Sequence, residues 1–486
     1  MWQPKERIKY RATPGAIPAL SDVKESLLFN GFRAGHLTLN SRVWIPAMVP
    51  WRSNDSGEVT QDVLDWYGRF AQGRPGVIVV EATGVRDVPS GPLLRIGDDR
   101  YVEGLKRLVD RVHEASSGHT KVLIQLIDFL RIRRRPTPDI FFNKHLRITP
   151  ELIRRCGLDV QTEEGLVREF LAGRSEAEWR ELLSENDLRD LEYGARESVN
   201  DTHLPHIASL PQDLPALFAA AASRASKAGF DGVELHYAHA YTMASFLSAT
   251  NVRTDGYGGN LVNRLKVPLD VYAAVKSAVG SNFVVGCRML TDEIIPAGTT
   301  VVTSKEYALA FAQAGMDFIS LSRGGKFDDA KRPSVGQAIY PYTGRSGYEC
   351  MPGHISDRFG PFGRNKAATA EVREYLRAQG FDTPVVGAGG IHNFEMAERW
   401  LQEGVCDVVG LARQSLADPD WPLKVSSGRG AEVRLCEYTN YCEGLDQKHK
   451  QVTCQLWDRE ALNEPGVRLS SDGKRRLIAP AWRVPA

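Results

Sequence analysis

Eight short apolar runs punctuate the chain, at residues 43–49, 76–82, 121–126, 231–236, 282–288, 316–322, 383–388 and 405–411. Each has the length of a buried strand and is rich in Val and Ile. None shows the alternation of a strand with one wet face, so the pattern is that of a parallel sheet covered on both sides. Segments with helical periodicity lie between them, among them 99–116, 213–229, 260–280, 303–315 and 393–404. Eight such strand–helix units predict an α/β chain folded as a (β/α)8 barrel, whose active site gathers at the carboxyl ends of the strands. Gln125, His236, His239, Tyr241, Arg288, Gly389, Gly390 and Arg413 stand at those ends. That clustering reads as an enzyme.

The rhythm breaks between the third and fourth runs, where about 80 residues (131–211) intervene. A structureless loop of that length is uncommon in a compact domain, so a helical lid on the active-site side is expected. Its middle, 162–196, is rich in Glu and Arg with helical spacing, and it opens on Arg131-Ile-Arg-Arg-Arg135. The arginine run reads as a solvated face, with a docking patch for an anionic coenzyme or substrate as the sharper alternative. A second long loop, 323–365, follows the sixth run. Residues 1–40 read as an extended arm. The expected organisation is a barrel over 1–435, interrupted by the 131–211 insertion, and an extension over 436–486 that holds Cys436, Cys442 and Cys454.

Composition narrows the function classes. A formal charge of +1 gives no whole-molecule attraction to nucleic acid or anionic membrane. No apolar run approaches the ~20 residues needed to span a bilayer. Residues 1–10 lack the apolar core of a signal peptide, which leaves the cytoplasm as the expected compartment. Seven cysteines make an odd count for a disulfide framework. Cys287 and Cys406 fall within strand runs and read as core.

The fourth run ends in Gly232-Val-Glu-Leu-His-Tyr-Ala-His-Ala-Tyr241. Two imidazoles at a strand's end can point N–H donors at one oxygen, and a phenol beyond them can offer a proton to the other end of a bound molecule. On its own, His-x-x-His reads more readily as a pair of solvated loop histidines. A metal site lacks an evident acidic third ligand. The continuation changes the balance: Phe246-Leu-Ser-Ala-Thr-Asn-Val-Arg-Thr-Asp-Gly-Tyr-Gly-Gly-Asn260, then Asn263-Arg264.

From Asp231 to Arg264 the sequence resembles the old yellow enzyme family of FMN-dependent oxidoreductases, with Ala240 and Val262 as mild departures; the resemblance extends with gaps from about Phe29 to Trp421. It implies that His236 and His239 grip a substrate carbonyl oxygen over the flavin. Tyr241 would then protonate the α carbon while hydride from the flavin reaches the β carbon. Two donors on a developing enolate are oxyanion-type catalysis, and a weak acid suffices if well placed.

The same resemblance places Gln125 and Arg288 at the flavin pyrimidine edge, where a permanent cation stabilises the reduced ring. Ala47, Met48, Val49 and Ala82 fall beside the ring. Gly389, Gly390, Ala412 and Arg413 form the phosphate corner usual for such barrels. Val49 stands where relatives often carry Thr or Cys, which removes a hydrogen bond to the flavin and implies a lower potential. Residues 40–60 contain no Cys, which disfavours the covalent cysteinyl-flavin of the related trimethylamine dehydrogenases, and those amine oxidisers carry Tyr where this chain has His236.

Longer relatives, resembling dienoyl-CoA and 2-enoate reductases, bind a [4Fe–4S] cluster through four cysteines in the tail and continue into a second flavin domain. Here Thr439 replaces one ligand and about 30 residues follow Cys454. Four thiolates are the normal requirement. The tail therefore reads as a cluster remnant without metal, with an incomplete cluster or zinc as alternatives. The expected function is an ene reductase with non-covalent FMN, acting in ping-pong order between NAD(P)H and an activated alkene. A flavin-dependent amine or N-methyl dehydrogenase and a non-catalytic flavin-binding protein are the alternatives. A homodimer is the working expectation for assembly, and the natural substrate is not legible.

Overall fold

The computed structural model describes residues 11–350 and 360–482; the polar segment 1–10 and part of the 323–365 loop lie outside the described residues. Its strands are β1 (Phe32–Ala34), β2 (Leu37–Leu39), β3 (Val43–Ile45), β4 (Val77–Gly84), β5 (Lys121–Ile127), β6 (Gly232–Tyr237), β7 (Val284–Leu290), β8 (Ile319–Ser322), β9 (Val385–Ala388) and β10 (Val408–Gly410). Strands β3 to β10 pair in parallel and in chain order, and β10 returns to β3 to close an eight-stranded (β/α)8 barrel. Every residue of β4 and β6 is buried, which is why these strands read as continuous runs rather than alternating ones.

Asn260 and Asn393 cap the helices Leu261–Val279 and Phe394–Gln402 by accepting from backbone N–H groups three residues on, each at 2.9 Å. Trp66, Phe70, Leu105, Phe218 and Phe311 fill the layer between helices and strands. Burying each such side chain contributes about 1.5–3 kcal/mol. A separate cluster inside the barrel contains Trp44, Val79, Leu123, Phe318 and Val386, with the Trp44 and Phe318 rings 4.9 Å apart.

The first forty residues are not extended throughout. Leu20–Glu25 is helical, and β1 and β2 form an antiparallel hairpin. Leu37 and Leu39 of that hairpin join the interior cluster beside Val77, Val284 and Val408 from the starts of their strands, so the hairpin plugs the amino-terminal end of the barrel. The opposite end is left for chemistry.

Between β5 and β6 the chain forms the helices Pro150–Arg155, Glu164–Ala172, Glu176–Leu182 and Glu185–Tyr193. They share a core of their own around Phe142, Leu171, Trp179 and Leu191. Bridging of Ile132 to Arg196 closes the neck of this insertion. Two residues of the arginine run act as fasteners: Arg135 donates to the Pro333 carbonyl at 3.0 Å, and Arg134 to the Gly336 carbonyl at 3.4 Å. The insertion is thereby docked on the loop after β8.

The tail packs on the barrel. Val452, Trp457 and Ala479 enter the main core, and Trp457 Nε1 donates to the Leu416 carbonyl at 2.9 Å. Arg52, fully buried, donates to the Val452 carbonyl at 2.9 Å and to that of Leu477. Among the described residues no helix is long and apolar enough to cross a membrane.

Candidate active site

Side chains two residues apart on a strand share a face, so Glu234 and His236 of β6 both point into the barrel. The register aligns Gln125 of β5 with Glu234, and His236 with Arg288 of β7, which in turn pairs with Ser320 of β8. Gln125 Nε2 donates to Glu234 Oε1 at 2.5 Å. Arg288 donates to Ser320 Oγ at 3.1 Å and to Ser322 Oγ at 3.2 Å. Burial pushes the Glu234 carboxyl up, against the pull of the Arg288 charge. Neither Glu234 nor Ser322 was marked as functional by sequence. The period-two alternation that puts His236 inside also puts Glu234 there, and was the available signal.

His236, His239 and Tyr241 converge at the end of β6. The His236 ring lies 6.0 Å from that of His239 and 5.4 Å from that of Tyr241, edge-on in both cases. Burial, reinforced by the Arg288 charge, pushes His236 down to about 3, and the same causes push His239 well below the usual imidazole range. Both rings are therefore neutral across the physiological range. His236 Nδ1 is buried and meets no hydrogen-bond partner among the described residues. His239 is committed elsewhere: Nδ1 lies 3.1 Å from the Gly324 carbonyl and Nε2 3.0 Å from Ser322 Oγ. In this arrangement the two imidazoles do not both offer an N–H to one oxygen. Tyr241 sits edge-on to Phe129 and Phe327, and burial pushes its phenol above the usual range, so it stays protonated.

In the closed strand order β10 is four strands from β6, on the far side of the mouth. There Gly389 and Gly390 follow β9, and Ala412 and Arg413 follow β10, all partly exposed. Gly390 has φ 73°, and a Cβ on it would come within 1.9 Å of the Pro361 carbonyl oxygen, so only glycine fits. Arg413 Nη1 donates to Asn440 Oδ1 at 2.9 Å, and the guanidinium lies 4.7 Å from the centre of the Tyr438 ring. Ala47, Met48 and Val49 leave β3 partly buried. Ala82 lies in a register shift of β4 between Val80 and Thr83, where the neighbouring Glu81 meets Tyr67 of an outer helix.

The tail helix Tyr441–Asp446 comes over this end of the barrel. Asp446 accepts from Trp51 Nε1 at 2.5 Å and from the Tyr340 hydroxyl. Burial raises both Glu443 and Asp446, and Asp446 raises Glu443 further. Both carboxyls in turn raise the Tyr241 phenol. Cys436, Cys442 and Cys454 come close enough for their thiols to interact, and burial raises all three, Cys442 to about 12. The described residues contain no group of three or more His, Cys, Asp or Glu arranged to hold a metal ion.

Residues 212–347 and 361–432 match the sequence profile of the NADH:flavin oxidoreductase / NADH oxidase family. The matched stretches carry His236, His239, Tyr241, Arg288, Gly389, Gly390, Ala412 and Arg413, and leave out Gln125 and strands β3 to β5. A relative, the NADH oxidase of Thermoanaerobacter brockii, is 28% identical over 415 residues, covering 84% of this chain and 52% of its own length. An N,N-dimethylglycine/sarcosine dehydrogenase of Chromohalobacter salexigens is 25% identical over 461 residues, covering 93% and 56%. The chain thus spans about half the length of these curated relatives. Among solved structures, histamine dehydrogenase from Rhizobium sp. 4-9 superposes with a TM-score of 0.60 at 23% identity, over 89% of this chain and 52% of its own. That likeness speaks for the fold.

The residues present suit a flavin. One side of the mouth offers an amide and a guanidinium, Gln125 and Arg288, beside the unpartnered His236 Nδ1. The opposite side offers a glycine turn and a second guanidinium. An elongated group with a polar ring edge and an anionic end matches both.

Proposed function

We propose that this chain is an FMN-dependent oxidoreductase that passes reducing equivalents from NAD(P)H to an alkene activated by a carbonyl. The observation that carries the reading is the neutral His236, whose Nδ1 has no partner among the described residues, beside a protonated Tyr241, across the mouth from the glycine and arginine corner. Gln125 and Arg288 would hold the pyrimidine edge of the flavin, with Ala47, Met48, Val49 and Ala82 beside its ring. Gly389, Gly390, Ala412 and Arg413 would hold its phosphate. Bound FMN supplies hydride transfer between coenzyme and alkene. His236 donates its N–H to the carbonyl oxygen and stabilises charge as it develops there. A neutral imidazole serves this purpose because it brings no charge that substrate binding must desolvate. Tyr241 places its phenol proton at the α carbon; its raised affinity for that proton keeps the donor loaded at every working pH.

A second reading, oxidation of an amine, draws on the Asp446 carboxyl and on the rings of Trp51, Tyr340 and Tyr342, a lining that suits a cation. The sequence likeness to a dimethylglycine dehydrogenase points the same way. Anaerobic mixing separates the two. Bleaching of the flavin by NADH or NADPH, then recolouring by cyclohexenone, supports alkene reduction. Bleaching by dimethylglycine with no recolouring by the alkene supports amine oxidation. No response to any of the three leaves a flavin-binding protein without this catalysis.

A further inference from the structure

Ser322 ends β8, is 5% exposed, and bridges two groups of the site: its Oγ lies 3.0 Å from His239 Nε2 and 3.2 Å from Arg288 Nη2. Ser322 also meets the Cys350 thiol, which burial keeps protonated, so the thiol can donate to the second lone pair of Ser322 Oγ and leaves the serine's own hydrogen free. The Gly324 carbonyl only accepts, so His239 Nδ1, 3.1 Å away, carries the ring hydrogen. Arg288 is a permanent cation that only donates, so Ser322 Oγ accepts from Nη2. His239 is neutral, which leaves a lone pair on Nε2, and the single hydroxyl hydrogen of Ser322 goes to it. The result is a directed chain from Arg288 through Ser322 and His239 to the Gly324 carbonyl.

The backbone holds this chain in place from both ends. His239 and Ala240 adopt φ 56° and 63°, a conformation costly for residues with a Cβ and found where surrounding structure imposes it. On the facing loop Gly325 has φ 83°, and a Cβ there would stand 3.0 Å from His239 Nδ1. The close approach of the two loops thus depends on that glycine.

We propose that Ser322 is a positioning residue that sets the tautomer of His239, and with it the number of N–H donors the site presents to a bound oxygen. While the chain stands, His239 has no uncommitted N–H and His236 is the imidazole donor. A second donor becomes available only when the Ser322 hydroxyl turns away and the ring hydrogen moves from Nδ1 to Nε2. The link to oxygen binding rests on the alkene-reductase reading above; the tautomer assignment stands without it.

The test uses the full chain labelled with 15N-histidine, with the His239 ring signals assigned by their loss in H239N. In the wild type the expected pattern is a neutral ring protonated at Nδ1. In S322A the ratio of the two tautomers moves toward Nε2–H by about fivefold, the scale of one lost hydrogen bond. S322T, which keeps the hydroxyl, restores the wild-type pattern. A wild-type ring protonated at Nε2 overturns the proposal without recourse to any variant. So does S322A with a lowered melting temperature and an unmoved tautomer, which is what a merely structural serine gives. A moved tautomer in a protein that reduces no alkene supports the role of Ser322 while removing the function proposed above.

Discussion

Replacing Lys326 with Met tests how the loop after β8 is anchored beside the site. Lys326 Nζ lies 2.7 Å from Glu293 Oε1, and both side chains are 3% exposed. The carboxylate also accepts from Ser248 Oγ at 2.9 Å and from the Thr299 amide at 2.7 Å. The lysine's own amide donates to Ser346 Oγ at 2.9 Å. Methionine keeps the length of the side chain and removes its charge, leaving Glu293 ionised, buried and without a counter-ion. Breaking a buried pair from one side costs about 3–5 kcal/mol, because the surviving charge has lost its compensation. The two hydrogen bonds that Glu293 retains and the apolar methionine stem place this case toward about 3 kcal/mol. Removing both charges, in K326M/E293Q, avoids the orphaned carboxylate and recovers at least about half of the loss. Urea denaturation followed by fluorescence measures the three variants against the wild type, with stability read from the midpoint and slope. A loss below about 1 kcal/mol in K326M, or a double variant no better than the single one, refutes the reasoning. The His239 contact to Gly324 lies two residues from the pair, so the same variant also broadens the His239 ring signals.

Three further outcomes are expected. Y241F slows alkene-dependent recolouring of the reduced protein by about 10²–10⁴-fold, the usual contribution of a positioned acid, while leaving bleaching by NAD(P)H within about twofold; equal losses in both half-reactions would show that the phenol is not the proton donor. G390A, with its Cβ forced toward the Pro361 carbonyl, folds but takes up added FMN at least tenfold more weakly, about 1.4 kcal/mol in binding, as read by fluorescence titration. Glu81 is buried, and burial raises its carboxyl from 4.5 to about 8, so its contribution to stability is fully present below pH 4.5 and is lost as pH rises through about 8; the melting temperature falls from pH 5 to pH 8.5, and E81Q flattens that slope, whereas an unchanged slope in E81Q would show that Glu81 is ionised in the native protein at neutral pH.

Most of the barrel was legible because buried parallel strands announce themselves as apolar runs, and β4 to β9 fall inside the runs or within two residues of them. The plug was not. Strands β1 and β2 are three residues each around Gly35, too short for any period to register, and only their packing against Trp44 and Phe318 reveals them. The motif His236-Tyr-Ala-His-Ala-Tyr241 was visible for its chemistry, but the direction of its hydrogen bonds was not. That direction depends on Ser322 and Gly324, about 85 residues away in sequence, coming within reach of His239. Ser322 read as nothing more than the end of a strand. The arginine run at 131–135 showed its charge and hid its partners, two of which lie on another loop. Asp446 and Glu443 sit in a short polar stretch that would ordinarily be exposed; the folding of the tail over the mouth takes them partly out of solvent.

The central claim is that this barrel mouth holds FMN without a covalent bond, and the absorption spectrum of the purified chain, before and after denaturation and removal of precipitate, tests it most directly. The account predicts the visible flavin bands in the native protein, or their appearance on adding FMN to one equivalent, with all of the colour left in the supernatant after denaturation. A colourless protein that takes up no added FMN would contradict it, and with it every role assigned to Gln125, Arg288, Gly390 and Arg413.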